Sequence, residues 1–176
     1  AEVAPEVLEA IERTRAGEAP RGVRTHLRDV DQLLVTMAPR DLIIIGARPS
    51  VGKTAFALEV LLNNARIGVP VAIFSMEMGR DQLLTRMACS VAGVSLWKVR
   101  LGTINAVEVE KIRNALAFVM KLPIHINDAV GQTISQLRAQ SMRLRSAVPE
   151  LGLIVVDYLQ LMEGENTRGR STNDIV

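Results

Sequence analysis

The run Leu42-Ile43-Ile44-Ile45-Gly46-Ala47-Arg48-Pro49-Ser50-Val51-Gly52-Lys53-Thr54 constrains this chain more than any other stretch. Leu42 to Ile45 is continuously apolar, with no polar alternation, which predicts a strand buried on both faces. A loop follows, closing on Gly52-Lys53-Thr54, and an apolar helical pattern starts at Ala55. Strand, loop ending in Gly-Lys-Thr, and helix together form the setting of a phosphate-binding P-loop.

The reason is electrostatic. The first amides of a helix have no partner within it and point out of its end. Together with loop amides they make a partly positive cradle for phosphate oxygens. On this reading Ala47, Arg48, Pro49, Ser50, Val51, Gly52, Lys53, Thr54 and Ala55 line a nucleotide. Gly52 lets the backbone approach the phosphates, Lys53 adds a full positive charge, and the Thr54 hydroxyl ligates magnesium. One position departs from the common motif: the first glycine should stand at residue 47, but Ala47 is there and Gly46 precedes it.

Two further apolar runs complete the pattern. Val71-Ala72-Ile73-Phe74-Ser75 reads as a buried strand followed directly by Met76-Glu77-Met78-Gly79. Ligands of open parallel sheets bind beyond the carboxyl ends of the strands, so Glu77 falls on the P-loop rim. There it could orient and deprotonate a water aimed at a terminal phosphate; the alternative is a solvated loop glutamate. Leu151 to Asp157 is a strand ending in an acid, weak as a signal alone but strong beside a P-loop, with Asp157 reaching magnesium directly or through water. A third strand is expected over Pro123–Ile126, ahead of Asn127-Asp128.

Helices are expected over Pro5–Arg15, Val30–Leu34, Lys53–Arg66 and Arg80–Ala92. Two more are expected after Asn105 and from Thr133. Gly68 and Pro70 stop the third, and Gly93 stops the fourth. Asn105 with Glu108 has the form of a capping box, opening a helix with Val109, Ile112, Leu116 and Val119 inward. Thr133 opens one holding Ile134, Leu137, Leu144 and Val148, with Arg138 and Arg145 on a solvated basic face or, less favoured, on a phosphate. Trp97 is assigned to packing in a short connection. Gly17 to Gly22 reads as a linker, and Pro5–Arg15, with its narrow stripe Val7, Leu8 and Ile11, packs on its own domain or on a neighbouring subunit.

Composition narrows the classes. At 176 residues, with 48% hydrophobic and 23% charged residues, the chain has an ordinary globular balance and enough length for one core. A net charge of +2 does not announce nucleic-acid binding, so any basic surface must be local. The lone Cys89 forbids an internal disulfide and fits a buried small hydrophobe. No membrane-length apolar run and no signal peptide are visible, so a cytoplasmic protein is expected.

At Ala47 to Thr54, Phe74 to Met78 and Asp157-Tyr158-Leu159-Gln160-Leu161-Met162 the sequence closely resembles bacterial replicative DNA helicases of the DnaB family. Alanine at position 47 is usual in that family. The resemblance implies a RecA-like P-loop NTPase, an α/β fold with a mostly parallel sheet and helices on both faces, truncated at its C-terminal end. It implies residues 1–21 as linker helix and linker, and 22–176 as an incomplete ATPase domain. It further implies ATP and Mg2+ as ligands, and a hexameric ring that hydrolyses ATP at subunit interfaces to move along single-stranded DNA during replication. The linker helix would then dock on the adjacent subunit, with primase and a helicase loader as partners. By motif match Lys53 and Thr54 are the P-loop lysine and metal-ligating hydroxyl, Glu77 the catalytic carboxylate, and Asp157 the acid of the second motif. The family's arginine finger and its later Gln-bearing motif are expected beyond Val176.

Two departures stand out: His26 where the family often has Gly, and Gly79 where it often has Ser, which puts the local turn and a helix cap in question. Aromatics make up 3% of the chain, so base stacking on rings is not expected. Arg168 and Arg170, in a loop without periodicity, are the candidates for backbone contacts to DNA. The rival readings are a RecA-like recombinase or regulatory ATPase, and a nucleotide-gated structural ring subunit.

Overall fold

The computed structural model describes residues 3–17, 22–48 and 50–157. The chain forms two compact units, Ala1–Ile44 and Ile45–Val176. The expected sites Pro49, Arg168 and Arg170, and the segment Tyr158 to Met162, lie outside the described residues.

The first unit carries α1 (Val3–Arg15) and α2 (Arg28–Leu34). Helix α1 starts two residues before the expected Pro5, and its stripe is open, with Val7, Leu8 and Ile11 50–60% exposed. Val23 and Met37 form an antiparallel bridge. Beside it, a Cβ on Gly22 (φ +145°) would lie 2.3 Å from the Met37 carbonyl oxygen, so only glycine lets the strands close there. The turn questioned at His26 does form. His26 sits at φ +59°, the left-handed region that favours glycine, and the Asp31 carboxylate holds it. That carboxylate accepts from Thr25 N–H (2.8 Å), Thr25 Oγ1 (2.6 Å) and His26 N–H (2.9 Å).

The second unit runs α3 (Lys53–Arg66), β1 (Val71–Ser75), α4 (Arg80–Ala92), α5 (Leu96–Leu101), α6 (Ala106–Val119), β2 (Ile124–Asn127), α7 (Ile134–Ala147) and β3 (Leu153–Asp157). The three strands are parallel in the order β2-β1-β3. The chain leaves β1 toward one side to form β2, then reverses across the sheet to form β3. Crossovers are right-handed, so that reversal puts their helices on opposite faces. The cores agree. Val71 and Ile73 of β1 pack with Leu58, Leu61 and Leu62 of α3, Leu83 and Met87 of α4 and Val119 of α6. Ala72 and Phe74 face the other way, against Leu151 and the α7 residues Leu137 and Leu144. All five residues of β1 are buried, and each fully buried aliphatic side chain contributes roughly 1.5–3 kcal/mol.

Most helix ends follow local rules. The capping box at α6 is present, with Glu108 N–H donating to Asn105 Oδ1 (2.9 Å) and Asn105 N–H to Glu108 Oε2 (3.0 Å). Thr133 and Gln136 build a second one at α7. Cys89 is buried.

Three expectations are overturned. Leu42 to Ile45 is irregular and exposed, at 84%, 43%, 77% and 47%, because an apolar run becomes a strand only where a ladder partner takes it. Trp97 lies in the short helix α5 and is 65% exposed, so it is not a packing residue among the described ones. On α6, Val109 and Leu116 are more than a third exposed, while Ala115 and Val119 are buried. The buried side of the helix thus keeps Val119 and the half-buried Ile112 and takes in the small Ala115 in place of Val109 and Leu116. On α7, Ile134 is 62% exposed, and Arg145 is exposed, in keeping with the solvated face, while its Nη1 donates to the Leu151 carbonyl (2.6 Å) just ahead of β3.

Candidate functional site

The parallel register puts three strand ends on one rim. Ser75 is opposite Asp157, and Phe74 is opposite Asn127. Segments leaving these ends, and the start of α3, supply the polar groups there.

Helix α3 begins at Lys53, and its N-cap Gly52 has φ +108°, ψ +23°. No atom lies within 4 Å of a Cβ added to Gly52, so backbone conformation rather than space demands glycine at this position. Ser50 is also left-handed, at φ +65°. Within the helix the Phe56 N–H reaches the Gly52 carbonyl (2.9 Å), and the amides of Thr54 and Ala55 lie in the first turn, where no intrahelical acceptor exists. Ala47, Arg48, Ser50, Val51, Gly52 and Ala55 are exposed, and Lys53 and Thr54 are half-buried.

Across from this helix start lies Asp157, 6% exposed at the end of β3. The Thr54 Oγ1 hydroxyl donates to Asp157 Oδ2 at 2.7 Å. Residues 103 apart in sequence thus bring a hydroxyl and a carboxylate together. These are the oxygen donors a small hard cation takes, commonly one or two from protein with the rest from phosphates and water. The pair fits magnesium.

Glu77 is exposed, two residues past the end of β1. Its flanks are fixed, since Met76 and Met78 are buried. The Met76 N–H donates to the Asp157 carbonyl (2.9 Å). The Ser75 hydroxyl, 1% exposed, donates to the Met78 carbonyl (2.8 Å) and accepts from the Met78 N–H (3.2 Å). The turn therefore pins Glu77 at its base and turns its carboxylate outward on the rim shared with Asp157.

Sequence reasoning missed Asp128, just past β2. Its Oδ2 accepts from the Arg80 N–H (2.8 Å), the first amide of α4, while Arg80 Nη2 donates to the Ile126 carbonyl (2.9 Å). The cap that Gly79 lacks comes from another strand end. The only signal was indirect: a helix opening without a capping side chain, and an Asp at a neighbouring strand terminus.

Residues 22–176 match the family described as DnaB-like helicase C-terminal domain. The chain belongs to this family. It is 40% identical over 160 residues to the replicative DNA helicase DnaB of Nostoc sp., covering 89% of this chain and 18% of that protein. It is 38% identical over 154 residues to the replicative DNA helicase DnaC of Bacillus subtilis, covering 87% and 33%. It superposes with a TM-score of 0.83, at 26% identity and covering 98% of this chain and 41% of the other, on a DnaB-like replicative helicase whose structure was described with its interactions with primase. The chain thus spans a third or less of these two curated relatives. The fold is the RecA-type α/β fold of DnaB-like ATPase domains. Among the described residues no helix is long and apolar enough to cross a membrane.

Proposed function

We propose that residues 22–176 are motor-domain sequence of a replicative DNA helicase that hydrolyses ATP, with residues 1–21 as the linker segment. The observation that carries this reading is the 2.7 Å hydrogen bond from Thr54 to Asp157, which joins the helix start after Gly52-Lys53 to the acid-bearing strand end. The loop and α3 amides with Lys53 hold the triphosphate, and Thr54 with Asp157 holds magnesium. The metal supplies charge neutralisation at the outer phosphates. Glu77 orients a water and takes its proton as the water approaches the terminal phosphate. The exposed stripe of α1 fits docking on a neighbouring subunit of a ring, hexameric in the resemblance, where an arginine from that subunit completes the charge at the transition state. Such an arginine contributes about a thousandfold or more in comparable hydrolases, so this chain by itself is expected to bind nucleotide and turn it over slowly. Single-stranded DNA is the track. Primase is a partner by likeness to the relative described with it, and a loader is expected from the resemblance.

The test is Glu77→Gln in the intact protein. Hydrolysis stimulated by single-stranded DNA should fall on the order of 10²–10⁴-fold, with nucleotide affinity retained and strand displacement lost. Unchanged hydrolysis removes Glu77 from its role; hydrolysis without strand displacement in the unsubstituted protein favours a recombinase or regulatory ATPase. Replacing Arg168 and Arg170 by Ala should weaken DNA binding for all sequences alike and flatten the slope of log affinity against log salt by about two. An unchanged slope excludes them as phosphate contacts.

A further inference from the structure

The turn carrying Glu77 has a fixed base; at its far flank, where α4 begins, the residue that closes it stands just past a different strand, β2. Helix α4 starts one residue past Gly79, so any shift of its first turn shifts the Met76–Gly79 turn with it. Gly79 offers no capping side chain. Asp128 supplies the cap from the end of β2 through the Arg80 amide at 2.8 Å, and Arg80 returns the contact to the Ile126 carbonyl. A Cβ on Gly79 would lie 3.9 Å from Asp128 Oδ2, so the carboxylate is seated against the turn itself. The turn carrying Glu77 is therefore tied to β3 through Met76 and Asp157, to itself through Ser75 and Met78, and to β2 through Asp128.

We propose that Asp128, which lies outside the nucleotide motifs, is a positioning residue for Glu77: by capping α4 from the neighbouring strand end it fixes the turn that aims the Glu77 carboxylate. This rests on the proposed role of Glu77 in hydrolysis. Asp128 acts through the backbone of α4, by its hydrogen bond from the Arg80 amide. Displacements of about 1 Å around reacting groups can lower rates about a hundredfold, so loss of the cap should appear in turnover rather than in binding.

The experiment compares Asp128→Ala, Asp128→Asn, Glu77→Gln and the Asp128→Ala/Glu77→Gln double variant in the intact protein, by DNA-stimulated ATP hydrolysis and nucleotide affinity. Asp128→Ala should lower kcat about ten- to a hundredfold with nucleotide Kd unchanged. Asp128→Asn keeps an oxygen that can accept from the Arg80 amide, and asparagine caps as well as aspartate, so its kcat should stay within about threefold of the unsubstituted protein. In the Glu77→Gln background, Asp128→Ala should cause no further fall, since groups acting through one another are not additive. Arg80→Pro, set beside Arg80→Ala to account for the lost Nη2 bond to Ile126, removes the capped amide if Asp128→Ala does not fold. Proline is tolerated at the first helical position and removes the same donor, so kcat should again fall with Kd unchanged. The proposal is overturned if Asp128→Ala leaves kcat unchanged, weakens nucleotide binding in step with kcat, or lowers the residual Glu77→Gln rate by its full factor. If Glu77→Gln itself leaves hydrolysis intact, the role of Glu77 falls and this proposal with it. A collapse with Glu77→Gln beside a normal Asp128→Ala overturns the positioning role alone.

Discussion

Leu42-Ile43-Ile44-Ile45 and Val71-Ala72-Ile73-Phe74 look alike as sequence: four apolar residues, no polar alternation, each followed by a segment with a functional assignment. In the molecule they differ completely. Residues 71–74 are 0–3% exposed, whereas residues 42–45 are 43–84% exposed. β1 is flanked by β2 and β3 and paired along its length to both, and side chains cover both of its faces. Leu42 to Ile45 has no ladder among the described residues. An apolar run states what a segment would gain by being covered; neighbours in space decide whether it is. Side-chain packing, not backbone preference, is what strand propensity measures.

The largest expected effect on this contrast comes from truncating the middle of each run. Ile73→Ala should destabilise by about 2–5 kcal/mol, the range for large-to-small changes in a packed core. Ile44→Ala, at a side chain 77% exposed, should stay within about 0.5 kcal/mol. Urea unfolding followed by circular dichroism gives both values, and native-state amide exchange adds a local check, with strong protection at Ile73 and little at Ile44. An equal loss from the two substitutions would mean that Leu42 to Ile45 is covered in solution, and the contrast would collapse.

The same distinction explains what was legible beforehand. Helix α3 and the end of α4 could be read to the residue because their signals are local: Gly52 and Gly68 for one, Gly93 for the other. The capping box at Asn105 is a four-residue signal and was equally readable. β1 and β3 were readable since their apolar runs end in polar groups that a shared rim brings together. The features that failed depend on what lies across the fold. The inward face of α6 includes the small Ala115 and leaves Val109 and Leu116 more than a third exposed, which side-chain size does not foretell. Trp97 reads as core by size alone, yet among the described residues it is 65% exposed. The cap on α4 comes from Asp128, 48 residues from its amide, a distance over which no sequence pattern runs. For the site, the residue types at the helix start and strand ends were legible, whereas the direct contact between Thr54 and Asp157 and the ties that fix the turn around Glu77 were not.

A smaller effect sharpens the comparison by asking what holds each neighbourhood. Ile73 is held by burial, which does not titrate. The turn at Thr25 and His26 is held by one carboxylate. Burial alone would raise the pKa of Asp31, but hydrogen bonds from the Thr25 hydroxyl and amide and from the His26 amide, with the charge of His26, outweigh it and leave the group below its ordinary value. A depressed folded-state pKa means that the stabilisation is complete above the unfolded-state value and is lost as pH falls through the folded-state one. The window therefore opens below about pH 4. Glu108 titrates in the same direction, its pKa lowered by the hydrogen bond from Lys98 and then by that from the Asn105 amide. Amide protection, corrected for intrinsic exchange, should fall at Thr25, His26 and Asn105 as the pH drops through that window, while Val71 and Ile73 keep theirs until the whole domain unfolds. Asp31→Asn should weaken protection at Thr25 and His26 at neutral pH and remove most of its further loss in acid. If β1 lost protection in step with His26 over that range, burial and the carboxylate would belong to one cooperative unit, and the separation between the two neighbourhoods would be wrong.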